Sequence, residues 1–177
     1  PKDDEKAEYM RLKMDFDAEQ KALKKFIGKP TQTQDGEKVQ LFSNIGTPDD
    51  ANKVLEYDGE GVGLFRTEFL FMDRDCAPDE NEQFEAYKKA LLIMRNKSVI
   101  IRTLDIGGDK DIPYLNLQKE ENPFLGFRAV RYCLKNEEMY RIQLRALLRA
   151  SAYGDLQIMI PLVTGVEELR SVKKLIE

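Results

Sequence analysis

The chain has 177 residues, of which 42% are hydrophobic and 34% charged, with a formal net charge of −4. This composition is typical of a soluble globular protein, and the acidic balance argues against wholesale binding to nucleic acid or to an anionic membrane. No apolar run approaches the roughly 20 residues of a membrane helix, and the charged first residues are unlike a signal peptide, so we expect a cytoplasmic protein.

A long charged helix is predicted first. Apolar side chains at helical spacing predict a helix over residues 2–27. Gly28 and Pro30 are expected to end it, because glycine accepts the left-handed C-cap and proline cannot continue a helix. We interpret residues 1–29 as a connector helix between domains, with a surface helix as the alternative.

Four strand–helix units are predicted over residues 30–177. The strands are expected at residues 39–42, 62–65, 99–101 and 156–163. The helices are expected from residue 47, over 78–94, over 125–134 and 137–153, and over 166–177, with an irregular segment at 104–123. Alternation of buried strands with helices implies an α/β fold with parallel strands and right-handed crossovers.

Four such units are half of an eight-unit barrel, or enough for a small doubly wound sheet. The chain ends within the last predicted helix, at Glu177, without a C-cap. A sheet left open there would expose an edge strand, which complete proteins avoid. We therefore expect a truncated fold, the first four βα units of a (β/α)8 TIM barrel.

An arginine directly follows each of two predicted strands. Arg66 follows residues 62–65 and Arg102 follows residues 99–101, at the strand ends where parallel α/β proteins carry their active sites. Neighbouring strands lie about 5 Å apart, so the two guanidinium groups can converge on one oxyanion, as in many phosphate sites. The alternative is that each arginine pairs with a nearby carboxylate, such as Glu68 or Asp105.

A glycine pair follows the second of these arginines. Gly107 and Gly108 let the backbone come close to a ligand, and Lys110 adds a compact positive charge. Gly-Gly-Asp is also ordinary turn chemistry. Neither the Walker A spacing nor the Gly-x-Gly-x-x-Gly fingerprint of dinucleotide-binding domains is present.

Other reactive or charged residues have ordinary interpretations. Cys76 and Cys133 form no Cys-x-x-Cys pair and the chain has no histidine, which excludes the usual zinc sites, so we interpret both as buried or incidental thiols. The acidic residues of segment 105–121 show no metal-ligand spacing. An arginine stripe with a spacing of four residues consists of Arg141, Arg145 and Arg149. It fits a salt-bridged helix face better than a nucleic-acid-binding surface.

Three stretches resemble a known family. They are GVGLFRTEFLFM at residues 61–72, RTLDIGGDK at 102–110 and ENPFLGFRA at 121–129. In this order, and over about residues 30–177, they resemble phosphoenolpyruvate–protein phosphotransferase, the Enzyme I of the bacterial sugar phosphotransferase system. The matching part is the N-terminal half of that family's phosphoenolpyruvate-binding C-terminal domain. Pyruvate phosphate dikinases and phosphoenolpyruvate synthases share the arginine after a strand but match less well around residues 107–110.

The resemblance implies a barrel that binds phosphoenolpyruvate with Mg²⁺, in which Arg66 and Arg102 hold the phosphoryl oxygens and Lys110 assists. It implies a homodimeric parent that transfers the phosphoryl group to its own histidine and then to a small histidine phosphocarrier protein, which drives sugar uptake. In the family the histidine, the cysteine acid, the magnesium ligands and a further arginine lie outside the matching part. We therefore expect no catalytic residue and no metal ligand in this chain, and no activity of the chain alone.

Two other functions stay open at this point. The chain can belong to a dikinase or synthase, in which the same arginines would serve an enzyme that uses nucleotide. It can also be a non-catalytic module that binds a phosphorylated ligand or a partner through its first helix. A half barrel predicts exposed strand edges and self-association, whereas a complete module predicts a monomer.

Overall fold

A computed structural model describes residues 3–107 and 112–177, and the chain divides into two compact units, Pro1–Gln40 and Leu41–Glu177. The first unit contains helix α1 (Asp3–Leu23) and a 3₁₀ turn at Lys24–Phe26. Gly28 has a φ of 79°, the left-handed conformation predicted for it at the end of the helix. The connector role of this helix stays a prediction.

The second unit is a four-stranded parallel sheet with helices between the strands. The strands are β1 (Phe42–Ile45), β2 (Gly61–Arg66), β3 (Val99–Arg102) and β4 (Leu156–Met159). The helices are α2 (Asp50–Glu56), α3 (Glu80–Met94), α4 (Val130–Lys135), α5 (Glu137–Ala150) and α6 (Val166–Ile176). Every neighbouring pair of strands is parallel, which confirms the predicted α/β class.

The strands of this sheet lie side by side in chain order, β1-β2-β3-β4. Successive units of a (β/α)8 barrel have this order, whereas the strand order of a doubly wound sheet reverses at a switch point. The order therefore favours the barrel over the doubly wound alternative, and the complete barrel stays a prediction. Within the described part of the chain, no helix has the length and apolar character needed to cross a bilayer.

The first strand was predicted at residues 39–42, which is wrong by three residues. The amide of Val39 instead donates a hydrogen bond to the carbonyl of Thr31 at 3.0 Å, inside the first unit. Strand β1 begins only at Phe42 and continues through the polar residues Ser43 and Asn44. The apolar run that marked the prediction therefore precedes the strand, and hydrogen bonding to β2 rather than hydropathy defines it.

Two other elements are shorter than predicted. Strand β4 ends at Met159 rather than at residue 163. The helix predicted at 125–134 begins only at Val130, because Ala129 has φ 51° and ψ −128°, a non-helical conformation. Turn hydrogen bonds of Leu125 and Gly126 to the residues three positions earlier occupy the segment before it.

Two apolar clusters stabilise the second unit. The first lies between the sheet and helices α2, α3 and α5, where the rings of Phe65 and Tyr87 meet edge to face with centroids 6.0 Å apart. The second lies under the segment that follows β3 and includes Leu104, Ile106 and Ile112. This segment has little regular structure but is anchored in a core, so the side chains at the end of β3 have a fixed support.

We expect Gly61→Ala to destabilise the fold by about 1–3 kcal/mol, because a small-to-large change in a packed core forces its neighbours apart. A Cβ at Gly61 would lie 2.8 Å from the Ser98 carbonyl oxygen and 2.9 Å from a ring carbon of Phe42. Gly165→Ala is the matched control, since Gly165 has φ −144° and, apart from its chain neighbours, no described residue lies within 4 Å of the new Cβ. Urea unfolding of both variants measures the difference, and equal midpoints would contradict the packing.

Candidate functional site

Strands β2 and β3 each end on an arginine, and their register pairs the two. Arg66 lies directly opposite Arg102, and the spacing of strands in a sheet puts their backbones about 5 Å apart. Paired residues of neighbouring strands direct their side chains to the same face of the sheet. The two predicted phosphate ligands therefore lie next to each other at the carboxyl end of the sheet.

Two carboxylates hold the guanidinium group of Arg102. Its Nη2 forms a hydrogen-bonded ion pair with Oε1 of Glu68, and its Nη1 lies 3.0 Å from Oδ2 of Asp105. The side chain of Glu68 is only 3% exposed and that of Arg102 18%. For this arginine the alternative prediction of a carboxylate partner is correct, and the two contacts fix the orientation of the guanidinium plane.

Arg128 extends this cluster of charges. Its Nε donates to Oδ1 of Asp105 at 3.0 Å, and its side chain is 4% exposed. Asp105 thus bridges two arginines, and charges alternate from Glu68 through Arg102 and Asp105 to Arg128. Arg128 was not among the predicted site residues; its one signal in the sequence is its place in the family-like stretch at 121–129.

Arg66 has a different environment. It is exposed, and its guanidinium carbon lies 5.1 Å from the ring centroid of Phe69. Phe69 in turn lies against Gly46, where an added Cβ would come within 3.0 Å of the ring. Across residues 3–107 and 112–177, Arg66 makes no ion pair. Contact with an aromatic ring orients a guanidinium group and leaves its N–H donors available to a ligand.

One buried polar atom of Arg102 and one of Glu68 have no hydrogen-bond partner among the described residues. They are Nε of Arg102, a donor, and Oε2 of Glu68, an acceptor. An unsatisfied buried polar group costs about 1–3 kcal/mol, more when it is charged. The Nε of Arg102 therefore keeps a donor N–H that no described residue satisfies.

A buried polar network lies beside the strand ends. The side-chain amide of Gln143 on α5 donates to Oγ1 of Thr67 at 3.3 Å and accepts a hydrogen bond from the Leu104 amide at 2.9 Å. The Thr67 hydroxyl donates to the carbonyl oxygen of Arg102 at 2.8 Å. Gln143 was not predicted from the sequence, although a glutamine within the apolar stripe of a helix is a detectable signal.

Lys110, the third predicted phosphate ligand, lies outside the described residues, as does Gly108. The role of Lys110 stays a prediction.

Among the residues that the structure describes, no three Asp, Glu, Cys or His side chains are grouped so that they could hold a metal ion. Glu68 and Asp105, the carboxylates next to Arg102, are committed to guanidinium groups. Mg²⁺ binds through carboxylate and other oxygen ligands that are free to face the ion.

The arginine stripe on α5 is a salt-bridged helix face, as predicted. Arg145 and Arg149 donate to the two carboxylate oxygens of Glu80 at 2.7 and 2.8 Å, and Arg141 pairs with Glu137 at 3.4 Å. The hydrogen bonds from Arg145 and Arg149 lower the pKa of Glu80 below its ordinary value. Arg145 and Arg149 thus tie α5 to the start of α3, and Arg141 has a partner within α5.

We expect a thiol reagent to label Cys76 but not Cys133 in the folded chain. Cys76 is exposed and Cys133 is buried; burial, with a smaller contribution from the charge of Asp105, raises the pKa of the Cys133 thiol above its ordinary value. A raised pKa leaves less of the reactive thiolate at any given pH. Titration with Ellman's reagent should give one thiol in the native chain and two in urea, and rapid release of two thiols without urea would contradict this burial.

A groove of about 620 Å³ lies on α2 and α3, lined in part by Asn52, Leu55, Lys88 and Leu92. None of its lining residues belongs to a strand end or to the segment that follows one. The groove is therefore formed by other parts of the sequence than the arginine pair, and its lining residues are not part of the arginine site.

Comparison with known proteins gives consistent matches. The family model described as "PEP-utilising enzyme, PEP-binding domain" matches residues 20–177. The phosphoenolpyruvate-protein phosphotransferase of Bacillus subtilis (strain 168) is 58% identical over 152 residues, which cover 86% of this chain and 27% of that protein. Those of Listeria innocua and Staphylococcus carnosus are each 52% identical, over 99% and 100% of this chain. The chain spans 27% to 31% of the length of these three relatives.

Proposed function

The chain belongs to the family of phosphoenolpyruvate-utilising enzymes, in their phosphoenolpyruvate-binding domain, and from this premise we propose that Arg66 and Arg102 hold the phosphoryl group of phosphoenolpyruvate. The observation that carries the proposal is the register of β2 and β3, which sets the two arginines side by side. The buried Nε of Arg102, which has no acceptor among the described residues, supports it further.

The two arginines would contribute differently to binding. Arg102 is held by Glu68 and Asp105, so its remaining N–H donors are oriented before any ligand arrives. Arg66 is exposed, stacks on the ring of Phe69 and makes no ion pair with a described residue, so it can approach an oxyanion from solvent. Oriented guanidinium donors neutralise charge on a transferring phosphoryl group without being consumed, which is the main task of a protein in phosphoryl transfer.

The charge balance of the site calls for a further cation. Glu68 and Asp105 together offset the charges of Arg102 and Arg128, which leaves Arg66 as the uncompensated charge of the described cluster. A phosphate ester carries close to two negative charges at neutral pH. We propose that Lys110 supplies one further charge, and that Mg²⁺, when bound, supplies more through ligands outside this chain.

For the whole protein we propose the activity named in its relatives, transfer of the phosphoryl group of phosphoenolpyruvate to a protein. The acceptor would be a histidine of the same enzyme and then a small histidine phosphocarrier protein, in a homodimeric cytoplasmic enzyme of sugar uptake. This chain contains no histidine, so we propose that it binds the substrate and transfers nothing alone. The names of the three relatives favour this enzyme over a dikinase or synthase.

We expect the 177-residue chain to bind phosphoenolpyruvate and inorganic phosphate weakly, and to acquire no covalent label from phosphoenolpyruvate that carries ³²P. Calorimetry measures the binding, and filter retention after denaturation measures the label. Arg66→Ala should weaken both ligands, since a hydrogen bond to a charged group contributes about 1.5–3 kcal/mol. Radiolabel retained on the denatured chain, or affinity unchanged by the substitution, would refute the proposal.

A further inference from the structure

We propose that Gln143 is the positioning residue of the arginine pair, which holds the ends of β2 and β3 in the register that lets Arg66 and Arg102 act on one anion. The inference rests on the proposed function, because it assigns a role within the same site. The hydrogen bonds of Gln143 go to Thr67, Leu104 and Tyr87 and to neither arginine side chain, so Gln143 acts through the residues next to the arginines.

The first connection runs through Thr67. Nε2 of Gln143 donates to Oγ1 of Thr67 at 3.3 Å, and this hydroxyl donates its own proton to the carbonyl oxygen of Arg102 at 2.8 Å. Thr67 follows Arg66 directly, so one hydroxyl joins the residue after the first arginine to the backbone of the second. Gln143 fixes the direction of that hydroxyl, because the oxygen accepts from Gln143 and must donate elsewhere.

The second connection runs through Leu104. Oε1 of Gln143 accepts the amide hydrogen of Leu104 at 2.9 Å. This amide lies two residues after Arg102 and one before Asp105, the carboxylate that contacts both Arg102 and Arg128. A single side chain on α5 thereby fixes the backbone next to Arg66, next to Arg102 and next to Asp105.

The chain offers a matched residue with an ordinary structural role. Gln83 and Gln143 are each 1% exposed, and both form a hydrogen bond with the hydroxyl of Tyr87. Gln83 accepts from this hydroxyl at 3.0 Å, and Gln143 donates to it at 3.2 Å. The other bond of Gln83 goes to the carbonyl of Pro78, before α3. Gln83 is therefore a buried amide of the same network without a hydrogen bond to a strand end.

The test compares Gln143→Met with Gln83→Met in the full 177-residue chain. Methionine has nearly the volume of glutamine and forms none of its hydrogen bonds, so both variants should lose a similar amount of thermal stability. The geometry of the site is monitored through the Nε–Hε resonance of Arg102 in ¹H–¹⁵N spectra. The resonance is assigned by its disappearance in the Arg102→Lys variant. We expect Gln143→Met to shift this resonance and speed its exchange with water, and Gln83→Met to leave it unchanged.

Affinity for inorganic phosphate is the second readout. Small displacements of a binding group have large effects, so we expect Gln143→Met to weaken phosphate binding about tenfold and Gln83→Met less than twofold. Thr67→Val removes the connecting hydroxyl at nearly constant shape and serves if Gln143→Met does not fold. It should weaken phosphate binding and shift the Arg102 resonance in the same direction.

The outcomes separate this inference from the proposed function. The positioning role is overturned if the Arg102 resonance is unchanged in both Gln143→Met and Thr67→Val. It is also overturned if Gln83→Met shifts this resonance as much as Gln143→Met does. Both conclusions hold whatever the phosphate affinities are. If the resonance shifts as expected while even the unaltered chain binds no phosphate, the positioning geometry stands and the anion-binding proposal fails.

Discussion

Arg102→Ala should abolish measurable binding of phosphoenolpyruvate and inorganic phosphate to this chain. In the proposed site Arg102 supplies at least two charge-assisted hydrogen bonds, each of which contributes about 1.5–3 kcal/mol, so their loss weakens binding by a factor of about 10² or more. The substitution also leaves the buried carboxylate of Glu68 without its guanidinium partner. Calorimetric titration, together with a thermal melt of the same sample, measures binding and folding separately.

Two variants make this result specific to the site. Arg102→Lys keeps the positive charge but loses the planar fork, so it should fold and still bind more weakly than the unaltered chain. Arg141→Ala removes an arginine that pairs with Glu137 on the exposed face of α5 and should bind normally. Retained affinity in Arg102→Ala would show that the anion binds elsewhere.

Asp105→Asn should have the second large effect, a loss of about 3–5 kcal/mol of unfolding free energy, the usual cost of removing one partner of a buried ion pair. Asp105 is the bridge between Arg102 and Arg128, with contacts of 3.0 Å to each. Its removal leaves Glu68 as the one carboxylate bonded to Arg102 in the described cluster. Against a typical total stability of about 5–15 kcal/mol, this loss is large, and urea unfolding measures it.

Added phosphate should partly restore the stability of Asp105→Asn. An anion that binds only the folded state stabilises it in proportion to its affinity, and the variant has an additional uncompensated positive charge to attract it. The midpoint should rise more in phosphate than in chloride at equal ionic strength, and more for the variant than for the unaltered chain. Glu137→Gln, which breaks an exposed pair on α5, should change stability by at most about 0.5 kcal/mol.

Much of the arrangement was predictable because it depends on local spacing. A glycine-led apolar run predicted β2 and an unbroken β-branched run predicted β3, and both strands lie within a residue of the predicted limits. Arg66 and Arg102 follow the predicted runs directly, so the parallel sheet alone brings them together. The first strand was placed wrongly because Ser43 and Asn44 lack the apolar character that marks a strand in sequence.

The partners of these arginines depend on contacts between distant parts of the chain. Arg128 reaches Asp105 across 23 residues, and Gln143 reaches Thr67 across 76. A single sequence contains no signal that pairs such residues. Their hydrogen bonds arise only because α5 packs beside the strand ends and because the conformation of Ala129 turns the chain before α4.

The sequence by itself determined the class of the fold, the neighbouring positions of Arg66 and Arg102, and the family resemblance, because strand periodicity and motif spacing are local properties. The tertiary structure alone decided the environment of each arginine. Arg102 is largely removed from solvent between Glu68 and Asp105, whereas Arg66 remains exposed beside Phe69. The difference arises from burial, since a charge removed from water must find a partner, and burial is set by the packing of the whole unit.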